Sequence, residues 1–255
     1  MIVELFGPPG SGKTTFAHAL TVRLRACELN AELKLSWRPT ERTFVFGVDS
    51  KAGSQQTNAV LHRVARPIRE MLTIACHPLA NSRDVRMAMR LIRLLPPRNV
   101  TLLLKNVQYI SRLTHSWHSK SDGSDVTIFD QAFVQAVCSL ARMAGIADEG
   151  VIAEALSYLP KSDLFVCVEV PLEVVKARLQ DRQLLQSRLE RLLEADLIDQ
   201  LASRELIGRL QAILVKEGRR LVTVSSLDQE SLERSIEIVK DEIIDKFRLE
   251  RRGAA

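Results

Sequence analysis

The stretch FGPPGSGKTT, from Phe6 to Thr15, decides how this chain is interpreted. The apolar run IVEL precedes it, and FAHALTVRLRAC, which has the spacing of an amphipathic helix, follows it. A glycine-rich bend therefore joins a buried strand to a helix. The bend satisfies the pattern G-x-x-x-x-G-K-[ST] in the structural context that this pattern requires.

The residue types in this bend suit the binding of phosphate. Glycines let the chain bend so tightly that consecutive N–H groups converge on one point, where the helix adds the positive end of its dipole. Lys13 would supply a mobile cation for the β- and γ-phosphates of ATP, and the Thr14 hydroxyl would bind Mg²⁺. A plain strand-to-helix connection is the alternative. The residues predicted to bind nucleotide are Gly7, Pro8, Pro9, Gly10, Ser11, Gly12, Lys13, Thr14 and Thr15.

Short apolar runs recur along the chain with helical stretches between them. Runs buried on both faces are typical of a parallel sheet that is covered by helices on two sides. We therefore predict an α/β, doubly wound five-stranded sheet of the P-loop NTPase class. The predicted strands lie within 2–6, 32–37, 125–130, 164–170 and 220–226, with 44–48 as a weaker candidate.

The segment 51–120 is predicted to be a helical insertion between the second and third core strands. Helical spacing extends over about 55–76, 82–95 and 99–116, and a polar loop over 116–125 returns the chain to the sheet. We expect one domain over 1–255, with a core made of 1–50 and 121–250.

Composition argues against a membrane-spanning, secreted, zinc-binding or disulfide-linked protein. No apolar stretch approaches the ~18 residues that cross a bilayer, and the first residues lack the features of a secretory signal, so we expect a cytoplasmic protein. The four cysteines are far apart in sequence, which argues against a zinc site or a disulfide framework and favours small buried side chains. They are Cys27, Cys76, Cys138 and Cys167.

Two further signals concern phosphoryl transfer. The apolar strand DVTIFD ends in Asp130, at the sheet edge where such folds bind ligands, so Asp130 would hold Mg²⁺ through water or accept a proton from an acceptor hydroxyl. Capping of the following helix is the alternative role, and both can hold together. Arg178 and Arg182 share one helical face and would neutralise charge on the transferred group, although a solvated helix face would look the same. Arg188 and Arg191 follow as weaker candidates.

Together these segments resemble the thymidylate-kinase-like branch of the P-loop kinases. The resemblance is carried by GPPGSGKTT, LSWRPTE (35–41), IFDQAF, LFVCVEVPLEVVKARLQDR and RLVTVSSLDQESLERSIEIV. It implies ATP with Mg²⁺, phosphoryl transfer to a small acceptor, and a lid over about 178–195. It also implies that Arg38, Asp130 and Gln131 contact the acceptor, and that Ser225 and Ser226 border the adenine. Two features depart from the family: Gln131 stands where it has arginine, and the stretch from Arg38 to Asp130 is longer and more basic, so the resemblance does not establish thymidylate as the acceptor.

The predicted insertion is strongly basic. Residues 51–120 contain 12 Lys and Arg against two Asp and Glu, within a chain of net charge +5. Arginines at helical spacing form two stripes, one of Arg86, Arg90 and Arg93 and one of Arg63, Arg66 and Arg69. We predict an anionic acceptor that contacts Arg86 and Arg90.

Other functions fit the same sequence. The chain could be a nucleotide-dependent ATPase or switch whose basic lobe binds nucleic acid or an anionic membrane surface. It could also be a scaffold that binds ATP without turnover. The sequence leaves open the identity of the acceptor, the choice between ATP and GTP, and the oligomeric state, with a homodimer among the options.

Overall fold

The computed structural model describes residues 1–35, 82–97, 100–118, 124–185 and 197–253. Several predictions therefore lie outside the described residues. They concern the strand at 44–48, the helix at 55–76, Arg38, Cys76, the stripe of Arg63, Arg66 and Arg69, and the lid arginines Arg188 and Arg191.

Five strands of the described residues form one parallel sheet in the order β2–β3–β1–β4–β5. All five predicted apolar runs are strands, so the predicted doubly wound α/β fold of the P-loop NTPase class is confirmed. The strands are β1 (Ile2–Phe6), β2 (Ala31–Lys34), β3 (Val126–Phe129), β4 (Leu164–Glu169) and β5 (Leu221–Ser225).

Helices connect these strands and cover both faces of the sheet. They are α1 (Lys13–Ala26), α2 (Ser82–Leu94), α3 (Val100–His118), α4 (Phe133–Ala144), α5 (Glu149–Ser157), α6 (Leu172–Leu185), α7 (Leu197–Lys216) and α8 (Gln229–Gly253). None of them is long and apolar enough to span a membrane in the part of the chain that the structure describes.

The central strand β1 shows how the two layers form. Side chains alternate along a strand, so Val3 and Leu5 point to one face and pack in a cluster with Phe16 of α1 and Val239 of α8. Phe6 points to the other face and packs in a cluster that contains residues of α2, α4 and α7. β1 is thus buried on both sides, as its apolar run predicts.

The predicted helical insertion is confirmed in its described part, because α2 and α3 lie between β2 and β3. The predicted loop at 116–125 was wrong at its start, since residues 116–118 are helical. The reason is packing: the Trp117 ring lies 5.1 Å from the Phe129 ring and 5.2 Å from the Phe133 ring, measured between centroids. Burying this large ring stabilises the last turn of α3.

The cysteines divide into two groups. Cys138 and Cys167 are buried, as predicted, but Cys27 is exposed. Cys27 directly follows α1 as its C-cap residue, at a turn on the surface, so the prediction of burial was wrong there. Burial raises the pKa of Cys138 to about 12 and raises the pKa of Cys167 as well. Both thiols are therefore protonated at neutral pH and unsuited to nucleophilic chemistry.

Candidate active site

The P-loop, residues 7–14, leaves the carboxyl end of β1 and enters α1. Gly7 has φ 151°, and a Cβ atom at this position would lie 2.4 Å from the carbonyl oxygen of Val168. Gly12, which precedes the helix, has φ 89°, and its Cβ would lie 2.7 Å from the Ser226 hydroxyl. Both positions therefore require glycine for conformation and for space. Gly12 also has no side chain with which to cap α1, which suits a helix end that binds an anion.

The Lys13 side chain turns back over the loop that precedes it. Its ammonium donates hydrogen bonds of 2.8 Å to the carbonyl oxygens of Gly7 and Pro8, and the residue is only 6% exposed. Neutral carbonyl groups thus hold the ammonium inside the loop. This is the location from which it could contact a phosphate that the loop encloses.

Thr14 and Asp130 meet where α1 begins and β3 ends. The Thr14 hydroxyl donates a 3.0 Å hydrogen bond to Oδ2 of Asp130, whose side chain is buried. Hydroxyl and carboxylate oxygens are the ligands that Mg²⁺ prefers, and this ion keeps several waters and phosphate oxygens, so two protein oxygens suit it. The pair fits magnesium. No cluster of three or more His, Cys, Asp or Glu side chains that could hold a metal ion occurs among the described residues.

The alternative role of Asp130, as a cap of the following helix, is not what the structure shows. The N-cap residue of α4 is Ala132, not Asp130, and the helix has no side-chain hydrogen bond at its cap. The N–H of Val134, in the first turn, instead donates a 2.6 Å hydrogen bond to the Glu4 carboxylate of β1. The first turn of α4 is thus held by Glu4, while the Asp130 carboxylate contacts Thr14.

Arg178 of α6 lies against the P-loop, and its role in neutralising the transferred group stays a prediction. Its guanidinium donates to the carbonyl oxygens of Ser226 at 2.6 Å, Leu227 at 3.0 Å and Gly10 at 3.4 Å. The Ser226 hydroxyl in turn donates to the carbonyl oxygen of Ser11 at 2.5 Å. The segment after β5 and the helix α6 therefore both contact the phosphate loop.

The contacts described for the other predicted residues do not involve the P-loop. The N–H of Ser225 donates to the Ser235 hydroxyl of α8, which links it to the helix. Gln131 is half-buried directly after Asp130, and Thr15 is exposed in the first turn of α1. Arg182 lies one helical turn beyond Arg178, and its side chain is outside those described.

The basic stripe on α2 is confirmed as one exposed helix face, which carries Arg86, Arg90 and Arg93. The guanidinium carbon of Arg90 lies 5.0 Å from the ring centroid of Tyr158, which follows α5. This contact gives Arg90 a cation–π partner outside the P-loop. Its role in acceptor binding, like that of Arg86, stays a prediction.

Two residues that the sequence analysis missed complete the site. Glu4, in the middle of β1, is fully buried, and its carboxylate accepts hydrogen bonds from the Val134 N–H at 2.6 Å and the Ser162 hydroxyl at 2.8 Å. Burial raises the pKa of Glu4 to about 7, although both hydrogen bonds oppose this shift. Gln135 of α4 accepts a 3.1 Å hydrogen bond from the Gly7 N–H. A polar residue inside the apolar run IVELF was a signal for Glu4, whereas nothing in the sequence marks Gln135.

Comparisons with known proteins add only distant likenesses. No family model matches the sequence, and no curated protein matches it significantly. Among solved structures, deoxyadenosine kinase from M. mycoides with the products dCMP and a flexible dCDP bound is 12% identical, with a TM-score of 0.46 over 96% of this chain and 99% of that chain. The same enzyme with dCTP bound is also 12% identical, with a TM-score of 0.44 over 96% and 100% of the two chains.

Proposed function

We propose that this chain is an ATP- and magnesium-dependent phosphotransferase that acts on a small anionic acceptor, such as a nucleoside monophosphate or another phosphorylated small molecule. The contact between Thr14 and Asp130 carries the proposal. It joins Thr14, which follows Lys13 and would bind the metal, to an acidic residue at the end of the strand that neighbours β1. Nucleotide binding and the transfer reaction would then share one sheet edge.

The residues of the P-loop would bind the donor. The N–H groups at the start of α1 would enclose the terminal phosphates, and Lys13 would exchange the carbonyl oxygens of Gly7 and Pro8 for phosphate oxygens. Thr14 and Asp130 would hold a magnesium ion, which neutralises charge on the β- and γ-phosphates. Asp130 could also accept the proton of an acceptor hydroxyl.

Arg178 would stabilise the charge that develops on the transferred group. Its three contacts with carbonyl oxygens use three of the five N–H groups of a guanidinium, and the side chain is only partly buried. The remaining N–H groups could donate to a phosphate held in the adjacent loop. Arg182, one turn further along α6, would extend this positive surface.

The anionic character of the acceptor is proposed from the charge of the insertion. α2 presents Arg86, Arg90 and Arg93 on one exposed face, and a surface that served only solubility would normally mix charges of both signs. Exposed charge contacts weaken as ions screen them. We therefore expect the KM for the acceptor to rise with salt, while a salt-independent KM would contradict an anionic acceptor.

Calorimetry with Mg-ATP tests the donor site. We expect binding by the wild type, loss of at least tenfold in affinity for Lys13→Met, and no change for Lys161→Met, which removes the same charge from an exposed loop. Equal heat for all three proteins, or no heat with either ATP or GTP, would contradict the proposal.

The release of ADP in the presence of a panel of nucleotides and sugar phosphates tests the reaction. We expect one class of acceptor to stimulate release, and Asp130→Asn to remove that stimulation. Release that is independent of any acceptor but stimulated by RNA, DNA or anionic vesicles would instead indicate an ATPase whose basic lobe binds such a surface. The cytoplasmic location and the homodimer stay predictions.

A further inference from the structure

Gln135 is a buried polar residue that directly contacts the P-loop. It lies in the first turn of α4, is only 8% exposed, and accepts a 3.1 Å hydrogen bond from the Gly7 N–H. Because a backbone N–H can only donate, the amide oxygen of Gln135, and not its nitrogen, must face Gly7. The contact joins residues 128 positions apart in the sequence.

Gly7 is the residue through which this contact would act on Lys13. The N–H of Gly7 is held by Gln135, and its carbonyl oxygen accepts a hydrogen bond from the Lys13 ammonium at 2.8 Å. Its φ of 151° and the close approach of Val168 leave the backbone little room to move. The N–H and the carbonyl group belong to consecutive peptide units joined at the Gly7 Cα, so holding the N–H restricts the direction in which the carbonyl group that contacts Lys13 points.

The segment from Asp130 to Gln135 contacts the P-loop at both ends. Asp130 accepts a hydrogen bond from Thr14, after the lysine, whereas Gln135 holds Gly7, the first residue of the loop. Glu4 fixes the same segment to β1 through the N–H of Val134. One connection between β3 and α4 thus spans the whole loop.

We propose that Gln135 is a positioning residue of the P-loop. It fixes the Gly7 peptide, so that the loop amides and Lys13 are ordered before the nucleotide arrives. The benefit to nucleotide binding rests on the proposed function, but the ordering of the loop does not. Preorganised donors of this kind strengthen binding because less ordering remains to be done when the ligand arrives.

Hydrogen exchange in the nucleotide-free protein tests the ordering. Gln135→Met keeps the length of the side chain but removes the acceptor, Gln135→Glu keeps an acceptor, and Ser139→Ala removes a hydroxyl that donates to the Gln135 carbonyl at 2.9 Å without contacting the loop. We expect the peptide covering residues 5–12 to exchange about tenfold faster in Gln135→Met and at the wild-type rate in the other two. Unchanged exchange in Gln135→Met would overturn the proposal.

The exchange rate of β4, which lies away from Gln135 in sequence, distinguishes a general loss of stability from a local effect on the loop. Faster exchange of residues 164–169 to the same extent would show that Gln135 is only structural, and would also overturn the proposal. The affinity for Mg-ATP, measured by calorimetry, should fall about tenfold in Gln135→Met. If the wild type binds no nucleotide, the proposed function fails while the exchange rates still decide the role of Gln135.

Discussion

The buried carboxyl group of Glu4 gives a prediction with a calculable size. Glu4→Gln is nearly isosteric: the amide oxygen can accept from the Val134 N–H, and the amide nitrogen can donate to the Ser162 hydroxyl. The variant therefore imitates the protonated form of Glu4 and does not titrate. Comparing it with the wild type isolates the effect of this one ionisation on the free energy of unfolding.

The sign of the effect depends on whether the folded protein or the unfolded chain binds the Glu4 proton more tightly. The pKa of Glu4 rises from 4.5 to about 7 on folding, so between these values the folded protein binds the proton and the unfolded chain has lost it. The stability of the wild type therefore falls as the pH rises through this window and is constant above it. Each pKa unit corresponds to about 1.4 kcal/mol, so the loss is about 3 kcal/mol.

Urea unfolding at several pH values between about 5 and 8 measures this effect. Trp117 reports on unfolding by fluorescence because its ring is buried against Phe129. We expect the advantage of Glu4→Gln over the wild type to grow by about 2–3 kcal/mol from pH 5 to pH 8, since the start of the window lies below pH 5, whatever the packing of the glutamine itself contributes. An advantage constant to within 1 kcal/mol over this range would refute the reasoning.

Three further predictions concern the candidate site. Asp130→Asn keeps an acceptor for Thr14 but removes the charge, so the Mg²⁺-dependent part of ATP affinity should fall at least tenfold in calorimetry, and an unchanged response to EDTA would contradict the metal assignment. Gly7→Ala should lower the free energy of unfolding by about 2–4 kcal/mol in urea, because its methyl group would clash with the Val168 carbonyl; a loss below 1 kcal/mol would be inconsistent with the described backbone. Arg178→Lys retains the charge but cannot bridge three carbonyl groups, so nucleotide affinity should fall severalfold, and wild-type affinity would show that charge alone suffices.

The fold was largely predictable because burial leaves a strong pattern in sequence. Strands covered on both faces are mostly apolar, and all five predicted runs are strands of the sheet. The bounds of α2 were predicted to within a residue, since Pro96 and Pro97 end the helix. The turn at 116–118 was missed because the packing of Trp117 outweighs the polar composition around it.

The site was predictable only where its contacts are local. The P-loop is contiguous, and Asp130 follows the carboxyl end of a strand, so its place at the ligand-binding edge of the parallel sheet could be inferred. Glu4 and Gln135 could not be assigned, because their partners Val134 and Gly7 are 130 and 128 residues away. The spacing of hydrophobic residues indicates which positions are buried. It does not indicate which polar groups, distant in sequence, form hydrogen bonds with each other.

The long-range anchoring of the phosphate loop has a consequence for how this protein folds. The loop is encoded within the first 14 residues, yet it is fixed by Gln135 and by Ser226, which contacts Ser11 across 215 positions of sequence. Contacts of such large separation form late in folding. The protein should therefore bind nucleotide only once the final strand has joined the sheet. A nascent chain that ends before β5 would contain the complete motif but would bind the nucleotide weakly.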